Sequence, residues 1–234
     1  MKLAIMQPYF FPYIGYFQLI NAADKFVVYD NIQFTKKGWI NRNRILVNGA
    51  AEYISLPLSK GSDYLNIDQR KLAGTFKTER IKLLRRINES YRKAPQFDTI
   101  YPLIESVITA EEENLFGFIY QSLQAVCQFL DIKTEFIISS TLPIDHQLRS
   151  QDKVIAICDA LGANQYINTI GGKELYSKEI FQQYNIELNF IQSGTVEYPQ
   201  FTNEFVPWLS IIDVMMFNSK EKVKEYLQNN YTII

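Results

Sequence analysis

Short apolar segments alternate with longer amphipathic ones along this chain, which is the pattern of an α/β protein. Apolar and β-branched residues predict strands at residues 2–6, 26–29, 134–139, 165–168 and 187–191. Helical spacing of apolar residues predicts helices at residues 13–23, 78–93, 109–130, 150–161, 178–184 and 219–228. Because strands that alternate with helices favour parallel pairing, the sequence predicts a mostly parallel sheet covered by helices on both faces.

Turn and cap residues refine these boundaries. Residues 44–47 and 52–58 are predicted to pair as a hairpin around Asn48-Gly49. A capping box beginning at Thr109 predicts the start of one long helix, and Ser150 and Ser219 are predicted N-caps. The hairpin and the helical stretch 77–130 suggest a small subsidiary region. No linker or internal repeat divides the chain, so residues 1–234 are predicted to form a single α/β domain.

Composition and charge exclude several classes of protein. Lys and Arg total 24 against 25 Asp and Glu, a formal charge of −1, so there is no global field to attract DNA or an anionic membrane. The apolar run that begins at Met1 ends at Gln7-Pro8, which is too short for a signal sequence or a membrane span. Cys127 and Cys158 lie at helical spacing among apolar residues, as buried thiols do. These features predict a soluble, cytoplasmic protein.

Ligands of open α/β sheets bind beyond the carboxyl ends of the strands, which places loops 7–15, 30–44 and 169–173 at a common edge. The first loop contains Pro8-Tyr9-Phe10-Phe11-Pro12, which is too bulky to cradle a phosphate. No GxGxxG or GxxxxGK[ST] motif occurs, which excludes a standard dinucleotide or P-loop site. Gly15 either lets the backbone approach a ligand or lets the first helix pack closely.

The second loop has the highest density of candidate binding residues. Lys36, Lys37, Arg42 and Arg44 surround Trp39, which gives phosphate donors next to a stacking surface. The alternative is a solvated basic loop without a ligand. Asp30, at the end of a predicted strand, is a candidate general base or metal ligand, and an Asx-turn to its own backbone is the structural alternative.

The remaining polar candidates lie further along the chain. Gly171-Gly172-Lys173 follows a predicted strand, in the manner of an anion nest with a lysine charge. Asp213 lies among apolar residues and is therefore either a structural cap or a site carboxylate. The single histidine, His146, follows Asp145 in a predicted loop and is interpreted as an exposed polar residue rather than a catalytic one. The sequence has no CxxC, HExxH or His/Cys cluster, and no metal site is predicted.

Three blocks of residues together resemble the WbqC-like family, which is associated with surface-polysaccharide and O-antigen loci. The first is Gln7-Pro8-Tyr9-Phe10-Phe11-Pro12 through Gly15-Tyr16-Phe17 and Asp24, with Asp30, Gln33, Trp39, Asn41, Arg42, Asn43 and Arg44. The second is Gly162-Ala163, Tyr166, Gly171-Gly172-Lys173 and Tyr176. The third is Tyr198, Gln200, Phe205, Ser210-Ile211-Ile212-Asp213 and Asn218. The resemblance covers nearly the whole chain.

The N-terminal half is also similar to nucleotidylyltransferase-like α/β enzymes such as pantothenate synthetase, which use ATP to activate a carboxylate. The likeness lies in the order of strand, Pro-x-x-Gly-containing turn, helix and Asp-x-Phe-Val-Val strand. The HxGH histidines and the KMSKS-like loop of those enzymes are missing here. ATP is therefore a candidate cofactor only by analogy of fold.

The WbqC-like resemblance implies a transferase that forms an amide on the amine of a nucleotide-linked amino sugar. The donor would be glycine or a similar small acyl group, supplied with ATP or as aminoacyl-tRNA. Lys37, Arg42 and Arg44 would then hold the pyrophosphate, Trp39 or Tyr9 would stack on the base or pyranose, and Asp30 or Asp213 would accept the ammonium proton. Gly171, Gly172 and Lys173 would bind the donor's anionic group. The other predicted substrate-binding residues are Gln7, Gln33, Asn41 and Gln200.

Two other functions remain open from the sequence. The missing histidines and the lack of a clear nucleophile favour a non-catalytic protein that binds sugar nucleotides within a polysaccharide assembly. The basic residues of the helix predicted at residues 78–93, including Arg85 and Arg86, allow contact with RNA, with a solvated helix face as the alternative.

Overall fold

A computed structural model describes residues 1–201 and 204–234. It contains a six-stranded sheet with the spatial order β5-β2-β1-β6-β7-β8. The strands are β1 (Lys2–Met6), β2 (Lys25–Val28), β5 (Glu135–Ile138), β6 (Gln165–Thr169), β7 (Glu187–Ser193) and β8 (Tyr231–Ile233). All neighbouring pairs are parallel except β7 with β8. The predicted mostly parallel sheet is confirmed.

The strand order has a switch point between β1 and β6. From β1 the chain first moves to β2 and β5 on one side, and it later returns to β6 and β7 on the other side of β1. If the six strands of this sheet alone are numbered in chain order, their spatial order is 3-2-1-4-5-6. This is the order of doubly wound α/β proteins, whose ligands bind where the order reverses. The carboxyl ends of β1 and β6 are therefore the expected place for a site.

Alternating residues of the strands enter two separate cores, one on each face of the sheet. Leu3 and Ile5 of β1 join one core, whereas Ala4 between them joins the other. This alternation follows from the two-residue period of a strand. Because both faces are apolar, helices must cover both.

The helices cover the two faces unequally. Those with buried residues in the larger core are α1 (Ile14–Ala22), α2 (Phe76–Tyr91), α3 (Phe97–Ile108), α4 (Leu115–Phe129), α7 (Ile211–Phe217) and α8 (Lys220–Asn229). The opposite face is covered by α5 (Ser150–Ala160) and α6 (Lys178–Gln183). The prediction of helices on both faces is thus confirmed, and β1-α1-β2 forms the predicted parallel βαβ unit.

The predicted hairpin is confirmed as a separate two-stranded sheet. It pairs β3 (Arg42–Val47) with β4 (Ala50–Ser55). Asn48 and Gly49 have φ values of 50° and 80°, as a two-residue hairpin turn requires. The hairpin belongs to the long insertion between β2 and β5, together with α2, α3 and α4.

Two predicted helix starts are wrong. Thr109 does not open a helix: it follows the end of α3, and its hydroxyl donates back to the Glu105 carbonyl at 2.8 Å. The next helix, α4, begins at Leu115 and is capped by Asn114, whose side chain accepts from Gly117 N. Ser150 is the first residue of α5 rather than its N-cap.

The cap predicted at Ser219 is confirmed, because its hydroxyl accepts from Lys222 N. Three elements were not predicted separately, namely α3, α7 and the edge strand β8. In residues 1–201 and 204–234, no helix has the length and apolar content needed to cross a bilayer.

Candidate functional site

Two cavities at the carboxyl edge of the sheet share the side chain of Tyr9. The first, here called the switch cavity, has a volume of about 360 Å³ and lies between the ends of β1 and β6. Its lining residues include Gln7, Tyr9, Tyr29, Ser150, Tyr166, Asn168, Gly171, Gly172 and Tyr176. The second, the aromatic cavity, has a volume of about 350 Å³ and is lined by Tyr9, Pro12, Tyr13, Trp39, Asn43, Arg44 and Trp208.

The switch cavity is rich in phenol hydroxyls that stay protonated at neutral pH. Burial, helped by the neighbouring phenol of Tyr176, raises the pKa of Tyr29 to about 12. Burial also raises the pKa of Tyr9, Tyr166 and Tyr176. A neutral phenol is both a donor and an acceptor. The cavity therefore suits a polar ligand that offers hydroxyls, amides or ring nitrogens.

The two glycines of the Gly171-Gly172-Lys173 segment line the switch cavity, whereas Lys173 is exposed and does not. The segment belongs to a 3-10 helix, Ile170–Leu175, that starts at the end of β6. A Cβ at position 172 would lie 2.8 Å from Asn168 Nδ2. Gly172 is therefore required by the close approach of the Asn168 side chain, and it keeps the cavity wall thin at this point.

Aromatic rings form most of the wall of the aromatic cavity. Trp39 stacks on Tyr53 with ring centroids 6.1 Å apart, and Tyr13 meets Trp208 edge-on at 5.7 Å. Trp39 and Trp208 are among the exposed large side chains of the protein. Such rings offer flat apolar faces to a ligand.

Arg44 supplies the one positively charged side chain among the residues that line the aromatic cavity. Its guanidinium lies 5.5 Å from the centroid of the Trp39 ring, and its Nη2 donates to the Trp208 carbonyl at 3.2 Å. Its Nε is buried and has no hydrogen-bond partner within residues 1–201 and 204–234. Among the residues that line this cavity none is acidic, so the charge of Arg44 is free to meet an anion.

Gly15 is explained by packing. A Cβ at this position would overlap the phenol of Tyr13 and the hydroxyl of Ser193. Glycine therefore lets the start of α1 approach β7 and leaves room for the Tyr13 ring beside the aromatic cavity. Of the two alternatives open from the sequence, the structure supports close packing.

Two basic side chains of the second loop, Arg42 and Lys36, are already paired with other groups of the protein. Arg42 donates from Nε to the Gly38 carbonyl at 3.0 Å and from Nη2 to the Lys37 carbonyl at 2.5 Å. Lys36 pairs with Asp63 at 2.7 Å. None of these side chains lines either cavity. The phosphate-binding roles predicted for Lys37 and Arg42 stay predictions.

Two side-chain amides of this loop are hydrogen-bonded to main-chain carbonyls that lie outside it. Gln33 donates to the Asp63 carbonyl and Asn41 donates to the Leu56 carbonyl, each at 2.9 Å. Neither lines the two cavities, whereas Gln7 lines the switch cavity. The substrate-binding roles of all three remain predictions, and only Gln7 is placed beside a cavity.

Asp30 is buried at the end of β2 and joins that strand to the end of β5. It accepts hydrogen bonds from the main-chain nitrogen of Ser140 at 2.9 Å and from the Ser140 hydroxyl at 2.5 Å. This is a structural anchor in the manner of a cap. Asp30 lines neither cavity, and its predicted role as a base is untested.

Lys153, which the sequence did not single out, is buried near Asp30. Its Nζ lies 4.8 Å from the centroid of the Tyr29 ring and 3.4 Å from Asn31 Oδ1. Burial lowers the pKa of Lys153, and the charge of Asp30 acts in the opposite direction. The lysine sits in the first turn of α5 within an apolar pattern, so the sequence carried only a weak signal for it.

Asp213 is buried at the start of α7, where three donors surround its carboxyl group. Tyr91 donates to Oδ1 at 2.8 Å, while Tyr198 and Gln200 donate to Oδ2 at 2.7 and 2.6 Å. Burial raises the pKa of Asp213, and these hydrogen bonds partly offset the effect. Asp213 and Gln200 line neither cavity, and their predicted site roles stay untested.

His146 and metal binding complete the survey of candidate residues. The ring Nδ1 of His146 lies 2.9 Å from Asn31 Nδ2, and Nε2 lies 3.1 Å from the Leu142 carbonyl oxygen. The histidine is exposed and outside both cavities. Within the described part of the chain, no three His, Cys, Asp or Glu residues are grouped as a metal site would need.

Comparison with known proteins places the chain in a family without naming its chemistry. A sequence model of the WbqC-like protein family matches residues 7–225. The chain is similar to the uncharacterized protein Rv1507c of Mycobacterium tuberculosis, with 28% identity over 232 residues that cover 97% of each protein. No solved structure matches. Since the family model covers nearly the whole chain, this protein belongs to the WbqC-like protein family.

Proposed function

We propose that this protein binds a nucleotide-linked amino sugar across the two cavities and catalyses transfer of a small acyl group, such as glycyl, to the sugar amine. The observation that carries the proposal is the shared wall formed by Tyr9. A ligand with two chemically different halves can place one half on each side of that ring. A sugar nucleotide is such a ligand.

The nucleoside half is assigned to the switch cavity. This cavity lies where the strand order reverses, which is the usual ligand position in doubly wound sheets. Its phenols and the side chain of Asn168 supply hydrogen bonds of the kind that a base and a ribose need. The glycines at 171 and 172 leave the backbone close to the bound group.

The sugar half is assigned to the aromatic cavity. Pyranose rings have apolar faces of axial C–H groups, which pack on aromatic rings such as those of Trp39 and Trp208. The amine to be acylated then lies near Tyr9, where the two cavities meet.

The reaction is an aminolysis. The neutral amine attacks the carbonyl carbon of an activated acyl group, a C–N bond forms, and the bond from the carbonyl to the leaving group breaks. The amine nitrogen loses one proton as the amide forms, and the leaving group takes up one proton, so that the step balances. Glycine activated by ATP and glycyl-tRNA are both balanced sources of the acyl group.

Tyr9 contributes a hydrogen bond in this proposal. Burial raises the pKa of its phenol, so the hydroxyl stays protonated and donates to the oxyanion that develops on the acyl carbonyl. Positioning the amine against the acyl carbon supplies the rest of the rate enhancement.

A second candidate function is non-catalytic binding of a sugar nucleotide. The observation that favours it is the position of the two carboxylates predicted as bases. Asp30 and Asp213 are both buried, their carboxyl groups accept hydrogen bonds from other parts of the protein, and they line neither cavity. A binding protein needs no base, and its two cavities would serve recognition alone.

The experiment incubates the purified chain with a dTDP-amino-hexose and either ATP with glycine or glycyl-tRNA, and detects the acylated sugar by mass spectrometry. Tyr9→Phe keeps the ring and should lower turnover about 100-fold, with binding of the sugar nucleotide nearly unchanged. Tyr9→Ala should lose binding as well. Calorimetric binding without any acylated product would support the second candidate, and absence of both would overturn the two proposals.

A further inference from the structure

The aromatic cavity contains both tryptophans of the chain, Trp39 and Trp208. They come from distant segments, one before the hairpin and one before α7. Tyr9 and Tyr13 complete the aromatic part of the wall. Rings gathered from separate segments around an open space provide stacking surfaces on more than one side of a ligand.

Trp208 is held in an unfavourable backbone conformation. Its φ is +61°, in the left-handed region that costs a residue with a Cβ about 1–2 kcal/mol. The residue is 60% exposed, so burial of the ring offsets little of that cost. A strained residue that presents a large ring to solvent is typical of a binding position.

Arg44 is charged and incompletely paired at the same cavity. Among the residues that the structure describes, its guanidinium has one hydrogen bond, to the Trp208 carbonyl, and the buried Nε has none. The neighbouring Asn43 does not meet this need, because its Oδ1 accepts instead from the main-chain nitrogen of Arg44 at 2.8 Å. An anionic oxygen group on the ligand would satisfy the guanidinium, which binds carboxylate and phosphate in a planar, forked geometry.

We propose that the aromatic cavity selects a pyranose ring that carries a carboxylate or a phosphate. The tryptophan rings stack on the faces of the sugar, and Arg44 binds its anionic group. This inference rests on the proposed function, since it names the chemical class of the sugar half. It nevertheless concerns the aromatic cavity alone and requires neither a nucleotide nor turnover.

Tryptophan fluorescence tests the proposal directly, because both tryptophans of the sequence line the aromatic cavity and the emission therefore responds to a ligand bound there. The full chain is titrated with galacturonate, galactose 1-phosphate and neutral galactose. The expected result is a saturable change in emission with at least one anionic sugar, at a concentration about tenfold or more below that needed for galactose. A response to galacturonate alone identifies a carboxylate, and a response to galactose 1-phosphate alone identifies a phosphate.

Variants assign the selectivity to the guanidinium. Arg44→Gln should weaken binding of the anionic sugar about tenfold and leave the response to galactose unchanged. Arg44→Lys keeps the charge without the forked geometry of the guanidinium, and its affinity for the anionic sugar should lie between those of the wild type and Arg44→Gln. Arg92→Gln removes the same charge from an exposed position after α2 that lines neither cavity, and should match the wild type.

Two results would overturn the proposal, and both come from the wild-type protein, so they hold even if an Arg44 variant fails to fold. One is equal response to galactose and to both anionic sugars. The other is no saturable change of emission with any of the three. Neither result bears on acyl transfer, which mass spectrometry measures separately, and a failed acylation assay leaves the emission titration valid.

Discussion

The hydroxyl of Tyr91, at the end of α2, donates a 2.8 Å hydrogen bond to Oδ1 of Asp213, at the start of α7. The same hydroxyl accepts a hydrogen bond from Leu46 N of β3, also at 2.8 Å. One phenol thus joins the inserted region between β2 and β5 to the C-terminal part of the chain. The aromatic cavity lies between these parts, since Arg44 comes from β3 and Trp208 from the segment before α7.

Tyr91→Phe should therefore destabilise the protein. The change leaves the Leu46 amide and the Asp213 carboxyl each without one partner in a buried place, at a cost of about 2–3 kcal/mol in the free energy of unfolding. Urea denaturation followed by circular dichroism measures it. Tyr198→Phe is the matched comparison, because it removes one donor to Asp213 and, in the part of the chain that the structure describes, leaves no main-chain group unpaired. Equal losses for the two variants would contradict the role assigned to Leu46.

The strain at Trp208 predicts an ordering of two substitutions. Asparagine adopts the left-handed conformation more readily than alanine, and neither retains the indole. Trp208→Asn should therefore be more stable than Trp208→Ala by about 0.5–1 kcal/mol. Thermal or urea unfolding of the two variants measures the difference. A more stable alanine variant would show that the backbone at this position relaxes.

The two glycines of the switch cavity should respond differently to alanine. At Gly172 the new Cβ would meet Asn168 Nδ2 at 2.8 Å, whereas at Gly171 it would meet no atom of the described residues within 4 Å. Gly172→Ala should cost about 1–3 kcal/mol of stability and weaken binding of the sugar nucleotide, because Asn168 must move. Gly171→Ala should unfold at nearly the wild-type urea concentration. Similar midpoints for the two variants would contradict the packing described at Gly172.

The reactivity of the two buried cysteines tests whether the two cores stay closed in the native protein. Burial raises the pKa of Cys158 to about 12 and raises that of Cys127 as well. Because the thiolate is the reactive form, neither thiol should react with a disulfide reagent at pH 8 in the native protein. Both should react once urea unfolds the chain. Fast labelling of the native protein would show that one of the two cores opens locally.

The buried Lys153 links stability to pH. Its pKa is lowered in the folded state by burial, so between that value and 10.5 the unfolded chain holds a proton that the native protein lacks. The contribution of Lys153 to the free energy of unfolding therefore rises with pH between its folded-state pKa and 10.5, and it is lowest below that folded-state pKa. Lys153→Met removes the effect, and the stability of the wild type relative to this variant should increase from pH 7 towards pH 10.5. A difference independent of pH would contradict the lowered pKa.

Local patterns of the sequence predicted most of the sheet. The apolar segment at residues 2–6 and the Asn48-Gly49 turn correspond to β1 and to the hairpin. The errors occur where one residue type serves two roles. Thr109 begins a capping-box pattern, but threonine also donates back to a carbonyl at a helix C-terminus, as it does here to Glu105. Helix α7 is buried on nearly all sides, so it has no polar face to reveal its period.

The site was only partly predictable, because it depends on long-range contacts. The strand order reverses between β1 and β6, and no local pattern states this order. Tyr9, Trp39 and Arg44 could be proposed from loop aromatics and basic residues, and they do line the aromatic cavity. Trp208 is brought to them by the fold alone. Lys37 and Arg42 had the same sequence signal as Arg44, yet only the side chain of Arg44 reaches that cavity.

The parallel strand pairs at and next to the switch cavity also affect how the protein folds. Leu3 pairs with Tyr166 across β1 and β6, and Val27 pairs with Ile137 across β2 and β5. Contacts so distant along the chain slow folding, because the entropy of closing long loops is lost before the contacts form. During synthesis, β6 emerges only after more than two thirds of the chain. The binding edge is therefore assembled late, and mutations that slow its closure would lower the yield of folded protein before they affect its final stability.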